Sequence, residues 1–363
     1  MLRYPFRNLV FQGGGIKALA YHGALRVLEA EGILDQIERV AGASAGAAMA
    51  TLFAMRLDVD EIIELYKTFD YEQITAVRSD GMPDRSSSPG FLQRELERIQ
   101  NNFASVTRLA TKFGWYSSEY GYRWMQKTMA MYCHGNGQAT FAQFQEWGFR
   151  DLYIVVTNLT THAAEIFSAD TTPDVAVVDA VLMSQALPIF FESVQFDGQV
   201  VGQGDHYLDG GLLVNYPLQL FDERPFAGNN RWFVNGVNWE TLGCRTFTPS
   251  DCPPRSGAIS NLLTYAQNVF EVLIEAQAAA YRLNKPAQRR SIDISDCCVR
   301  STDWDIRPDW DNKRYLRLVS AGETAALAYL DNYIPPVIKP MLPFSWYLDR
   351  RWRTFNKWLK TRG

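Results

Sequence analysis

Apolar positions in the first part of the chain fall into short runs followed by longer stretches of helical spacing. Leu9 to Phe11 is an apolar run ending in Gly13-Gly14-Gly15, after which Ile16, Leu19, Ala20, Gly23, Val27 and Leu28 recur at three- and four-residue intervals. The pattern predicts a strand, a glycine turn and a helix that stops near Gly32. A second short strand around Arg39 to Ala41 precedes Ala45 to Leu57, a helix rich in small residues. Two successive βα units predict a parallel sheet covered by helices.

Residues from roughly 58 to 149 read differently, as a polar and aromatic section with helical patches, broken by turn formers from Asp84 to Gly90. This section is expected to be an insertion or cap. The sheet resumes at the β-branched run Leu152 to Thr157, and Val194 to Phe196 with Gln199 to Val201 predict a hairpin around Asp197-Gly198. Leu262, Ala266, Val269, Leu273, Ala276 and Ala280 alternate spacings of four and three, the stripe expected of a core-facing helix lying on the sheet. Arg224 to Gly257 is irregular and reads as loop.

Composition narrows the class. With 47% hydrophobic and 21% charged residues the 363-residue chain has enough apolar surface for a sizeable core, as one enlarged domain over about 1–335 followed by a tail, 336–363. A net charge of −4 gives no global field that would recommend nucleic acid as a partner. The five cysteines, Cys133, Cys244, Cys252, Cys297 and Cys298, are odd in number and lack metal-ligand spacing, so reduced thiols in a cytoplasmic setting are expected. The N-terminus has no apolar core of a secretory signal, and the longest uncharged stretch, Val40 to Met55, is short for a membrane span.

Candidate chemistry centres on Gly42-Ala43-Ser44-Ala45-Gly46, a G-x-S-x-G match with a strand before it and a helix after it. A nucleophile elbow needs that setting, because the turn is too sharp for side chains at the flanking glycines and lifts the serine hydroxyl above the sheet. Gly13, Gly14 and Gly15 open a helix, so their amides, with that of Ala45, suit an oxyanion, and Lys17 adds positive charge nearby. The same loop, Gly13-x-Gly15-x-x-Ala18, also fits a dinucleotide fingerprint, but the second strand delivers Ser44 where that reading needs an acidic residue. The base for Ser44 remains to be found. His22, His134, His162 and His206 have no convincing catalytic setting, whereas Asp209-Gly210-Gly211 places an aspartate at the end of an apolar segment. Asp197-Gly198 reads instead as a turn. An aspartate is a weak base and would have to be desolvated and held against the serine.

Together these residues resemble the patatin-like phospholipase family, in which a glycine-rich oxyanion loop, a G-x-S-x-G serine and a D-G-G/A aspartate occur in this order. Ser184-Gln185-Ala186-Leu187-Pro188, with Phe190 and Phe191, resembles the family's segment before the aspartate, and Asn215 with Pro217 the stretch after it. Gln12, and Ala18 where the family usually has glycine, depart from the pattern. The resemblance implies a three-layer α/β/α sandwich and a dyad of Ser44 and Asp209, supported by Lys17, Gly42, Gly46, Gly210 and Gly211. It also implies hydrolysis of carboxylic esters in phospholipids or other acyl lipids through an acyl-enzyme, with no cofactor and no metal.

Two regions bear on the substrate. Trp115, Tyr116, Trp124, Met125, Met129 and Met131 could line or cap an acyl channel, although ordinary core packing is the better account of them. The tail from Leu342 carries Arg350, Arg351, Arg353, Lys357, Lys360 and Arg362 against Asp349, with Leu348, Trp352, Phe355 and Leu359 on one helical face. It reads either as a peripheral membrane contact or as a packed terminal helix with a solvated basic face. Two alternatives to the hydrolase stay open: a silent or partner-gated lipid-binding protein of the same fold, which would await a protein activator, and a nucleotide-binding oxidoreductase.

Overall fold

The structure is a computed structural model that describes residues 4–74, 104–227, 231–253, 259 and 261–336. The expected turn cluster Asp84 to Gly90 and the basic tail 342–363 lie outside the described residues. The first βα unit runs from β1 (Asn8–Phe11) through a 3-10 turn at Gly15–Ala20 into α1 (Tyr21–Ala30), and the second from β2 (Arg39–Ala43) into α2 (Ala45–Ala54). Then follow α3 (Val59–Lys67), α4 (Glu119–Tyr132), β3 (Asp151–Asn158), β4 (Ala163–Phe167), α5 (Val177–Ser184), β5 (Val194–Phe196) and β6 (Asp205–Asp209). A short helix α6 (Gly211–Val214), β7 (Thr241–Phe247), α7 (Leu262–Leu283), β8 (Ser291–Ser295) and α8 (Lys313–Asp331) complete the path.

Eight strands form one sheet in the order β8-β7-β1-β2-β3-β6-β5, with β4 also pairing to β3. The five strands from β8 to β3 are parallel to their neighbours, and β4, β6 and β5 are antiparallel to theirs. Period-two alternation divides the side chains between two layers. Leu9, Phe11, Val40, Leu152, Ile154 and Val156 enter the larger core beneath α1, α2 and α8, while Val10, Ala41 and Tyr153 face a smaller cluster with Leu218, Leu220 and Phe221. The architecture is a three-layer α/β/α sandwich around a mostly parallel sheet.

Four features differ from the sequence reading. Asp197-Gly198 does form a turn, with Asp197 Oδ1 accepting from the amides of Gln199 and Val200, but β5 pairs chiefly with β6 and meets Val201 only through a single bridge from Phe196. The region read as loop contains β7, an interior strand whose Gly243 and Arg245 interrupt the apolar run that marks the other strands. The stripe on α7 does not face the core: Leu262, Val269, Leu273, Ala276 and Ala280 are exposed and only Ala266 is buried. The opposite face of that helix turns inward, so its equally apolar sides could not be told apart by spacing alone.

The fourth difference concerns the cysteines. Cys252 and Cys298 form a disulfide, against the expectation of reduced thiols, while Cys133, Cys244 and Cys297 are free. The bridge ties the segment before α7 to the segment after β8, because the chain folds back between residues that are 46 apart in sequence. Closing a loop of that size removes freedom chiefly from the unfolded chain. Cys298→Ser is expected to lower unfolding stability by about 2–4 kcal/mol, measured by denaturant titration without reductant. Dithiothreitol should destabilise the native protein by a similar amount and leave the variant unchanged.

Candidate active site

Strand register brings the two expected reactive residues together. On one edge of β3, β2 runs parallel as far as Ala43 opposite Val155, and β6 arrives antiparallel with Asp209 opposite Val156. The other edge is occupied by β4 over Ile154 to Asn158, so β2 and β6 must share a single edge and meet end to end. Ser44 and Asp209 leave the sheet at that junction, and Ser44 Oγ donates to Asp209 Oδ2 at 2.6 Å.

Ser44 sits at φ 55° and ψ −128°, a left-handed conformation that a non-glycine residue adopts only where its surroundings enforce it. Close packing enforces it here. A Cβ on Gly42 would stand 2.2 Å from the Gly46 carbonyl oxygen, and one on Gly46 would stand 2.4 Å from that of Phe11. This sharp turn launches α2 and leaves the Ser44 hydroxyl half-buried.

Asp209 is 1% exposed. Burial raises its carboxyl to about 7, against the opposing effects of the Ser44 hydroxyl and of the Gly211 amide, which donates to Oδ1 at 2.7 Å. Thr157 Oγ1 fixes the adjoining backbone by donating to the Asp209 carbonyl. None of the four histidines hydrogen-bonds either dyad residue among the described residues. His22 is buried against Tyr315, with burial lowering it to about 3, and His206 binds Ser193.

The glycine loop lies across from the dyad, and its three amides are not equivalent. Gly13 donates its amide to the Asn215 carbonyl at 3.0 Å and accepts from Asn215 Nδ2 at 3.1 Å, so its amide is already engaged. Among the described residues the amides of Gly14, Gly15 and Ala45 have no protein acceptor. Gln12, where the sequence departs from the family pattern, anchors the loop by accepting the Thr246 amide on Oε1, while Tyr21 binds its carbonyl. Ala18 is buried in the 3-10 turn. Lys17 does not offer a free charge, since its Nζ lies 3.0 Å from Oδ2 of fully buried Asp296, which also accepts from Thr248 and from the Cys298 amide.

These groups open onto one cavity of about 780 Å³. Ser44, Asp209 and the glycine loop supply its polar end, and Ile74, Met125, Val181, Leu182, Phe270 and Ile274 contribute apolar wall. Of the aromatic and methionine residues singled out in the sequence, Trp124 and Met125 line this cavity, Met129 is core, and Met131 is exposed. Among the described residues no group of His, Cys, Asp and Glu is arranged to hold a metal ion.

The model of the patatin-like phospholipase family matches residues 9–222, which include the serine turn, the glycine loop and Asp209. The chain belongs to that family. It is similar to protein YqhO of Bacillus subtilis, 28% identical over 228 residues that make up 60% of this chain and 69% of that protein. It is also similar to a probable lipid hydrolase, 463L, of Invertebrate iridescent virus 6, 23% identical over 216 residues, 59% of this chain and 63% of the relative. The chain spans between 62% and 69% of the length of the curated relatives it matches. Among solved structures, VipD of Legionella pneumophila shares the fold, with a TM-score of 0.52 at 18% identity over 91% of this chain and 67% of that one.

Within this patatin-like site, Ser184 has a part that the sequence reading did not assign. Its hydroxyl accepts the Ser44 amide at 2.9 Å and donates to the Val155 carbonyl at 2.7 Å, while its own carbonyl accepts the Gly210 amide at 3.2 Å. One residue thus clamps both strand ends to β3. The signal was present, since Ser184 opens the segment that resembles the family pattern, but a serine at a helix end has many ordinary uses. Ser184→Ala leaves a buried carbonyl and the amide of the strained residue unpaired. It is expected to cost about 1–3 kcal/mol of stability and to lower kcat by at least about tenfold with little change in KM, measured on a soluble ester.

Asp209 gives a second expectation. The unfolded carboxyl titrates near 3.8 and the folded one near 7, so between those values the folded chain holds the extra proton and loses stability as pH rises. Asp209→Asn removes that cost. It is expected to raise the unfolding free energy at pH 8 by an amount on the order of 2–4 kcal/mol, seen as a higher melting temperature, with the gain vanishing below about pH 4. Thermal unfolding across this pH range tests it.

Proposed function

We propose that the chain is a serine lipid acyl hydrolase acting on carboxylic esters of phospholipids or related acyl lipids. The observation that carries this reading is the 2.6 Å hydrogen bond from Ser44 to a buried, proton-avid Asp209 at the polar end of a largely apolar cavity. Family membership supports the lipid substrate class.

In this mechanism the ester carbonyl lies over Ser44 with its acyl chain along the apolar wall. Asp209 takes the hydroxyl proton as Ser44 Oγ attacks, and burial that lifts the carboxyl to about 7 makes it a far better base than an exposed aspartate. The negative oxygen of the tetrahedral intermediate falls to the amides of Gly14, Gly15 and Ala45, with the Gly13 amide holding the loop to Asn215 instead. Protonated Asp209 then returns its proton to the leaving alcohol. Water enters, Asp209 deprotonates it, and attack on the acyl-enzyme frees the fatty acid and restores Ser44. Lys17, held by Asp296, steadies the oxyanion loop, and the flanking Gly42, Gly46, Gly210 and Gly211 allow the backbone to approach the dyad closely.

Turnover of a soluble ester and of phospholipid vesicles, together with labelling by a fluorophosphonate, tests the reading. Wild type should turn over and label, Ser44→Ala should lose both, and Asp209→Asn should lose at least about 10³-fold in kcat. Because Asp209 acts ionised, kcat/KM should rise through about pH 7 to a plateau near pH 8. A wild-type protein that neither labels nor turns over any ester would overturn the assignment.

A further inference from the structure

The helix α7 (Leu262–Leu283) is apolar on two opposite sides. Its inner side contributes Phe270, Ile274, Ala278 and Tyr281 to the cavity. Its outer side presents Leu262, Tyr265, Val269, Val272, Leu273 and Leu283, exposed by 50, 55, 44, 67, 39 and 86% respectively. At a helical repeat of 100° these six fall within one arc of about 100°, joined by Ala276 and Ala280, and no charged residue lies among them. The polar residues Thr264, Asn268, Glu271, Glu275 and Arg282 gather along a separate stripe, where Glu275 and Arg282 pair at 4.0 Å and Glu271 accepts from Ser301. The exposed arc runs the length of the helix, about 33 Å.

We propose that this outer face of α7 seats the protein on an anionic lipid surface, with the helix lying in the interface above the substrate cavity. The inference rests on the proposed lipid hydrolase reading. Three observations select lipid as the occupant. The face is the other side of the helix that supplies Phe270 and Ile274 to the cavity wall, so docking there places a cavity-lining element at the layer in which acyl chains reside. A long uncharged strip bordered by a polar stripe has the sidedness of an interfacial helix. At its end, exposed Arg282 and Lys285 flank exposed Leu283 in the chain, where anionic headgroups would meet them.

The inner polar groups of α7 connect this face to the site. Gln277 accepts the Asn215 amide at 2.8 Å and donates to the Gly211 carbonyl at 2.9 Å, so it grips the backbone immediately after Asp209. Glu271 binds Ser301, whose carbonyl accepts the Ile16 amide of the glycine-loop turn. A helix resting on lipid therefore holds both the aspartate segment and the oxyanion segment.

The test is flotation of the full chain, as Ser44→Ala so that the lipid is not consumed, with vesicles of phosphatidylglycerol and phosphatidylcholine in equal parts. Val269→Glu with Val272→Glu is expected to weaken binding by at least about tenfold, while in the Ser44 protein the same pair of changes leaves soluble-ester turnover within about twofold of wild type. Val272→Trp should bind as well as wild type, with its added indole emission shifting to the blue on vesicles, a readout that stands even where the double variant fails to fold. Vesicle binding unchanged by the glutamates, or no emission shift, overturns the proposal. So does a change of the double variant from dimer to monomer on gel filtration, which would give the face to a second copy of the chain. Failure of the hydrolase reading itself shows separately, as absence of turnover on both soluble and vesicular esters.

Discussion

The arrangement depends on one edge of β3 being shared by two strands that run toward each other. A parallel strand delivers a residue at its C-terminal end, and an antiparallel strand on the same edge delivers one from the opposite direction. With β2 finishing at Ala43 opposite Val155 and β6 finishing at Asp209 opposite Val156, Ser44 follows directly on a residue whose ladder position adjoins that of Asp209. Their separation is therefore fixed by backbone register. A shift of either strand by one residue would turn its side chains to the other face and separate the pair.

Around that junction, short-range packing and buried hydrogen bonds hold Ser44 and Asp209 in place. Ser184 holds the amide of the strained Ser44 and the carbonyl of Val155 with one hydroxyl, and Asn215 holds Gly13 at both its amide and its carbonyl. Strain at Ser44 persists because Gly42 and Gly46 leave no space for relaxation. Burial of Asp209 has a similar character, an energetic cost retained at the place where the proposed mechanism calls for a base. Lys17 illustrates the reverse case, a charge that would be costly in a pocket wall but is offset by buried Asp296.

Much of this was legible in the chain. The glycine turn, the first two strands and Leu152 to Thr157 were visible because buried parallel strands have dense apolar runs and because each turn carried its own residues. The motifs placed Ser44, Asp209 and the glycine loop in one hypothesis, and the structure brings them to one cavity. What the sequence hid has physical causes. β7 lies within the sheet yet contains Gly243 and Arg245, whose guanidinium lies 3.9 Å from the centre of the Tyr281 ring and 3.6 Å from Asp293, so burial there did not require an apolar residue. The stripe on α7 pointed outward because spacing identifies a face and not what covers it. The engagement of Gly13 and the pairing of Cys252 with Cys298 depend on neighbours remote in sequence, which local pattern cannot reveal.

The shared edge also separates the chemistry from the walls of the site. The long excursion between α2 and β3 contributes Ile74, Trp124 and Met125 to the cavity, yet neither end of the dyad is carried by it. Its two ends are pinned by α2 and by the parallel register of β3 with β2, so its length and content can alter without moving Val155 or Val156. Such a layout makes the excursion a replaceable part. This part of the cavity wall can be reshaped by insertion, deletion or substitution while Ser44 and Asp209 keep their geometry, so the described residues of the excursion adjust the shape of the pocket without carrying either of the two side chains at its polar end.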